Sequence, residues 1–172
     1  VVAVLVETHG QQQSEELLLT FEKAPVRNIP GPEGDWKAID VDAVLARRPA
    51  LALVDDLALL NPPGGRNARR FQDVEEILEN GIDVYATLSI QNISSLVDVV
   101  SQITGIDVTD IVPDGLLDQA AEIQIVDLPP SELLQLYRDD KIFIAERTRQ
   151  TSQKLYRMGN LTALRELALR RV

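Results

Sequence analysis

Leu51-Ala52-Leu53-Val54-Asp55-Asp56 is an apolar run, entered from Pro49, that ends abruptly on two carboxylates. Its apolar residues do not alternate with polar ones, so both faces ask to be buried, as in an inner strand of a parallel sheet. Two other runs share this character: Val1–Val6, which is Val-rich and continuous, and Ile82–Leu88, which follows Gly81. Stretches with helical spacing separate them. Ser14 is placed to cap a helix over Glu15–Phe21, and Val41, Val44 and Leu45 share one face of a helix over Val41–Arg48. Phe71, Val74, Ile77 and Leu78 line a third helix, which stops at Asn80-Gly81. Strand and helix alternating in this rhythm predict an α/β fold with a three-layer, doubly wound, mostly parallel sheet.

Downstream, the pattern predicts a helix over Asn92–Ile103 that Gly105 ends. Strands are expected over Val108–Val112 and Ile123–Val126, with a short helix over Pro113–Ala121 between them. Asp127-Leu128-Pro129-Pro130 reads as a turn, Ser131 as a helix cap and Lys141–Ile144 as an edge strand. Two helices follow, about Ala145–Met158 and Leu161–Arg171, parted by Gly159-Asn160. Arg27–Asp40, with Pro30, Gly31, Pro32 and Gly34, reads as a mobile loop.

A chain of 172 residues suits one domain over 1–172, its helical C-terminal part at about 145–172, with enough core to need no covalent staple. The absence of cysteine excludes disulfides, a thiolate nucleophile and thiolate-held metals. His9 is the only histidine, which excludes a multi-histidine metal centre and a His–His acid/base pair. No apolar run approaches the roughly 20 residues of a membrane helix, and no signal-peptide pattern is visible. Val1 already belongs to an apolar run, so the chain reads as a fragment or a trimmed form. The net charge of -10 argues against non-specific nucleic-acid binding. From Glu146 onward, however, seven basic residues stand against two acidic ones. That tail is either a helix face docked on the acidic body or a contact surface for an acidic partner or lipid headgroups.

Ligands of open α/β sheets bind outside the carboxyl ends of the strands, where three segments of this sequence fall. In Glu7-Thr8-His9-Gly10, Glu7 and His9 could serve as an acid/base pair or contact a phosphate; alternatively Thr8 and His9 simply make the strand-to-helix turn. Val54-Asp55-Asp56 has the form of a Walker B element, in which Asp55 would help hold Mg²⁺ through water and Asp56 would orient an attacking water. The competing reading is a pair of strand-end acids that cap the next turn. In Asn61-Pro62-Pro63-Gly64-Gly65-Arg66-Asn67 and the following Ala68-Arg69-Arg70, backbone N–H groups and three arginines could grip phosphate. The plainer alternative is a flexible loop with Asn67 as N-cap of the next helix. No G-x-x-x-x-G-K-[ST] occurs in the 172 residues.

Seven segments fall in a familiar order: Val6-Glu7-Thr8-His9-Gly10, Leu53-Val54-Asp55-Asp56-Leu57-Ala58, Arg70-Phe71-Gln72-Asp73-Val74-Glu75-Glu76, Gly81-Ile82-Asp83-Val84-Tyr85-Ala86-Thr87-Leu88, Ile103-Thr104-Gly105, Val126-Asp127-Leu128-Pro129-Pro130 and Asn160–Arg170. Together they resemble the cytoplasmic N-terminal sensor domain of the KdpD family of osmosensitive potassium-channel histidine kinases, over essentially the whole chain. The resemblance implies a P-loop-like cytoplasmic domain whose ATP binding biases a kinase/phosphatase elsewhere in an inner-membrane parent. Its implied partners are other signalling domains or a response regulator. ATP with Mg²⁺ is the implied cofactor, with Glu7, His9, Asp55, Asp56, Asn61 and Arg66 as the residues that would contact it and Asp55 nearest the metal. The resemblance also places a Walker A strand and helix upstream of Val1, the strand beside those ending at Glu7 and Asp55. Without that strand an apolar edge or cleft would be left, favouring self-association. Within the site the chain departs from the family pattern. Ala58-Leu59-Leu60-Asn61 stands for A-H-T-N, Ser89-Ile90-Gln91-Asn92 for N-V-Q-H, Asp56 for the usual Glu and Phe71 for Trp. Leu for His removes a donor and Asn for His a titratable group, which points to a non-catalytic regulatory domain with a partly degenerate nucleotide site.

Overall fold

The Val-rich run at the start of the chain and the run before Asp55 become neighbouring parallel strands, and the first half of the molecule is arranged about that pair. The computed structural model describes residues 1–32, 34–139, 141–142 and 149–172, with backbone only for 149–151. It divides into two compact units, Val1–Ser89 and Ile90–Val172.

The first unit runs β1 (Val2–Leu5), α1 (Gln12–Leu18), β2 (Glu22–Lys23), β3 (Val26–Ile29), β4 (Trp36–Ile39), α2 (Val41–Arg47), β5 (Leu51–Val54), α3 (Arg70–Glu79) and β6 (Asp83–Ala86). Strands β2-β1-β5-β6 form one sheet, all parallel, consistent with a three-layer α/β fold. All four residues of β1 are buried, as the unbroken apolar run requires. Val41 and Val44 of α2 and Phe71, Val74 and Ile77 of α3 are buried with them. Asp40 caps α2 by accepting from the Ala43 N–H at 3.1 Å, and Arg48 closes it in the left-handed conformation at φ 46°.

Strand order fixes where a ligand can sit. The chain leaves β1 outward to β2 but leaves β5 outward, in the opposite sense, to β6. The winding therefore reverses between β1 and β5, which opens a crevice at their carboxyl ends. Because β1 and β5 are hydrogen-bonded directly, and are flanked by β2 and β6, no further strand fits beside both of them. This corrects the expected placement of an additional strand next to those ending at Glu7 and Asp55.

Several local expectations are also corrected. Arg27–Asp40 is not a loop: β3 and β4 pair antiparallel, with Val26 opposite Ile39 and Ile29 opposite Trp36. The prolines and glycines that disguised the hairpin form its tip. Gly31 is required there, because a Cβ would lie 2.7 Å from the Trp36 ring. Helix α1 starts at Gln12 rather than at a Ser14 cap, because the turn closed by Gln11 N–H to the Thr8 carbonyl (2.9 Å) delivers the chain into the helix earlier.

The second unit opens with two 3₁₀ turns, Ile90–Asn92 and Ser94–Leu96, then α4 (Val97–Thr104), α5 (Asp114–Asp118), α6 (Pro130–Arg138), α7 (Arg149–Leu155) and α8 (Met158–Arg171). The two strands expected here do not form. Val112 makes only an isolated bridge to Ile93, and residues 123–126 join no sheet. Helix α6 enters from Pro129 with Pro130 at its first position, so Ser131 lies inside it. Gly159-Asn160 falls within the first turn of α8 instead of parting two helices. Lys141 and Ile142 are not in a strand, and the rest of that expected edge strand, like residues 145–148 of the expected helix, lies outside the described residues. Among the basic residues of the tail, Arg165 forks onto Asp127 at 2.6 and 2.5 Å. Arg171 reaches Asp118 at 2.9 Å and Asp114 at 3.4 Å. For these side chains the docked reading holds. No helix among the described residues is long and apolar enough to cross a membrane.

Ile77, in the last turn of α3, is completely buried. Ile77→Ala is expected to destabilise the first unit by about 2–5 kcal/mol, from lost transfer energy and the cavity left behind. Urea unfolding measures it.

Candidate functional site

Strands β1 and β5 and the edge strand β6 each deliver a polar residue to the crevice. Glu7 follows β1, Asp55 and Asp56 follow β5, and Thr87 follows β6. The Asp55 N–H still bonds to the Leu5 carbonyl at 2.8 Å, so parallel pairing carries the acid into place before the strands diverge. Thr87 then fixes both acids. Its hydroxyl accepts from the Asp56 N–H at 2.7 Å and donates to the Asp55 carboxylate at 2.6 Å. Asp56 adopts a left-handed backbone at φ 48°, and its carboxylate accepts from the Ala58 N–H at 3.1 Å. Asp tolerates this conformation better than most residues because its short side chain bonds locally.

Behind the acids lies Arg70, the first residue of α3, with only 5% of its side chain exposed. Its guanidinium donates to the Asp55 carbonyl at 2.6 Å and to the Glu7 carboxylate at 3.4 Å. It is thus a bracket between β1 and β5. Burial holds the Asp56 carboxyl above its ordinary range, and the neighbouring charges of Asp55 and Glu7 push the same way. The Ala58 N–H and Arg70 only partly oppose that rise.

Glu7 and His9 stand 4.0 Å apart, beyond hydrogen-bond reach. His9 and Gly10, at φ 51° and 74°, make the tight passage from β1 into α1. The structure therefore brings Glu7, His9, Asp55 and Asp56 to the same end of the sheet. Asn61 and Arg66 are committed elsewhere. The Asn61 amide donates to Asp73 at 2.6 Å and to the Asn67 carbonyl at 3.1 Å. Arg66 pairs with Glu76 and, at 2.5 Å, with Asp42.

The loop itself is folded rather than flexible. Leu60 and Arg69 form an antiparallel bridge, and the Asn61 N–H bonds to the Ala68 carbonyl at 3.0 Å. Asn67 is not the N-cap of α3; its amide donates to Asp73 at 2.8 Å, and Arg69 occupies the cap position. Asp73, 1% exposed, is thereby held between two amides, although burial still raises its pKa.

Three carboxylates facing one guanidinium leave the crevice acidic. A hydrated divalent cation suits that charge and a bare phosphate does not. No group of three or more His, Cys, Asp or Glu side chains able to hold a metal by themselves exists among the described residues. Of these side chains, Asp55 is one that could lean on the hydration shell of such a cation. Sequence reasoning missed Thr87 as a site residue. The rule that located Asp55, inspection of every strand's carboxyl end, would have found Thr87 had it been applied to β6.

A parallel sheet with acids at its switch point defines an open α/β domain. Residues 1–172 match the family described as "Osmosensitive K+ channel His kinase sensor domain". The chain is 45% identical to the sensor protein KdpD of Escherichia coli over 171 residues, covering 99% of this chain and 19% of that protein. It is 43% identical to sensor protein KdpD of Mycobacterium tuberculosis (98% of this chain, 20% of that protein) and 39% identical to that of Clostridium acetobutylicum (99% and 19%). The chain belongs to the KdpD sensor-domain family, and it spans about a fifth of the length of these relatives.

Asp56→Asn keeps the acceptor for Ala58 and the tolerance for positive φ while removing a carboxylate whose pKa is raised. A raised pKa means that the contribution of Asp56 to stability is fully present below its unfolded value, near 3.9, and is lost as pH rises through its folded value. The variant is expected to be more stable than the parent at pH 7 and equal to it near pH 3. Thermal melts across pH 3–8 check this.

Proposed function

We propose that the chain is the sensory and regulatory domain of a KdpD-type two-component sensor kinase. In this reading it controls expression of a Kdp potassium-uptake system in response to potassium limitation or osmotic stress. The observation that carries the reading is the match to the sensor-domain family over residues 1–172. Its partners are then the other signalling domains of the kinase and the cognate response regulator, and its place is the cytoplasmic side of a membrane-anchored parent. Chemistry is left to the parent: the domain biases a kinase/phosphatase balance and performs no phosphoryl transfer.

A second reading has its own support. Asp55 and Asp56 end an inner parallel strand beside the switch point, which supports reading them as a Walker B pair. On this reading the domain binds ATP with Mg²⁺, Asp55 acting on the metal through water, and the phosphate-cradling Walker A segment lies upstream. Leu59, in place of a family histidine, makes the site partly degenerate. Arg66 is a weak candidate for nucleotide contact, because Asp42 and Glu76 already neutralise it.

Titration calorimetry of Mg-ATP into the full-length gene product and its Asp55→Asn variant separates the readings. Binding that weakens at least tenfold in the variant establishes a nucleotide-responsive sensor. Heat absent from both leaves recognition of signalling partners as the function and removes ATP from the account.

A further inference from the structure

A hydroxyl has one hydrogen to give and two lone pairs to accept with. At Thr87 the Asp56 N–H occupies the accepting side, at 2.7 Å, so the hydroxyl proton is directed at the Asp55 carboxylate, 2.6 Å away. Backbone bonds frame the same residue: the Thr87 N–H donates to the Val54 carbonyl at 3.3 Å and its carbonyl accepts from the Leu57 N–H at 3.0 Å. Thr87 therefore touches the turn at the end of β5 four times, and that turn contains the left-handed Asp56. Without the hydroxyl, the Asp56 N–H loses this acceptor and the Asp55 carboxylate loses this donor.

We propose that Thr87 is a positioning residue for ligand binding at the crevice, acting through Asp55 and Asp56. This inference rests on the reading of the crevice as a site for Mg²⁺ with nucleotide. The hydroxyl fixes which Asp55 oxygen is spent inside the protein and which is left for the hydration shell of a cation. A cation drawing on the carboxylate weakens its bond to Thr87 and is felt directly at β6. A donor that aligns a metal-facing carboxylate commonly governs affinity by tenfold or more.

The test compares Thr87→Val, which keeps shape but loses the hydroxyl, with Thr87→Ser, which keeps the hydroxyl, both in the full-length gene product. Two readouts are taken: Mg-ATP affinity by calorimetry, and hydrogen exchange of the Asp56 amide without nucleotide. Thr87→Val is expected to weaken Mg-ATP at least tenfold and to speed exchange at Asp56, and Thr87→Ser to restore both. Unchanged affinity in Thr87→Val, or failure of Thr87→Ser to rescue it, overturns the proposal. Should the parent itself not bind Mg-ATP, the nucleotide reading and this positioning role toward its ligand fall together, while the exchange data still decide whether Thr87 holds the turn.

Discussion

One buried guanidinium allows the rest of the first unit to exist in this form. Glu7, Asp55 and Asp56 converge because parallel pairing of β1 and β5 leaves their carboxyl ends side by side, and like charges so placed repel. Arg70 stands behind them, bonded to the Asp55 carbonyl and reaching the Glu7 carboxylate. Both strand ends are thereby tied to the first residue of α3. A buried arginine needs such partners, since an unpaired interior charge costs several kcal/mol. The dependence is mutual: the acids make the arginine tolerable, and the arginine makes the acids compatible.

The same economy explains the connection from β5 to α3. Asp73 is fully buried and its carboxylate is satisfied by the side chains of Asn61 and Asn67, which draw the loop onto the helix. Arg66 joins the loop to Glu76 of α3 and Asp42 of α2. The residue types that suggested phosphate gripping thus serve mainly to fold the connection. What remains open to a ligand is the acidic side of the crevice, kept in register by Thr87.

Strands β1 and β5 were legible because each is an uninterrupted apolar run, and the acids of β5 because they terminate such a run; β2, only Glu22-Lys23 and exposed, carries no such signal. The hairpin of β3 and β4 was not, since its strands mix polar with apolar residues and flank a tip rich in proline and glycine. Ile123–Val126 misled in the opposite direction. It is apolar enough for a strand, yet Val126 is 94% exposed and the segment joins no sheet. Strand formation needs a partner edge, and a local pattern carries no information about one. Among site residues, Glu7, Asp55 and Asp56 were found by their place after strands. Asn61 and Arg66 failed to join them because their partners, Asp73, Asp42 and Glu76, are distant in sequence.

The claim that Arg70 is a structural bracket, not a ligand-gripping arginine, is tested most directly by urea unfolding of Arg70→Met. Methionine matches much of the buried stem and offers no donor. The account predicts a loss of about 3 kcal/mol or more, because the Asp55 carbonyl and the three acids lose their counter-charge. An unchanged unfolding midpoint would contradict it and would return Arg70 to the residues available for phosphate.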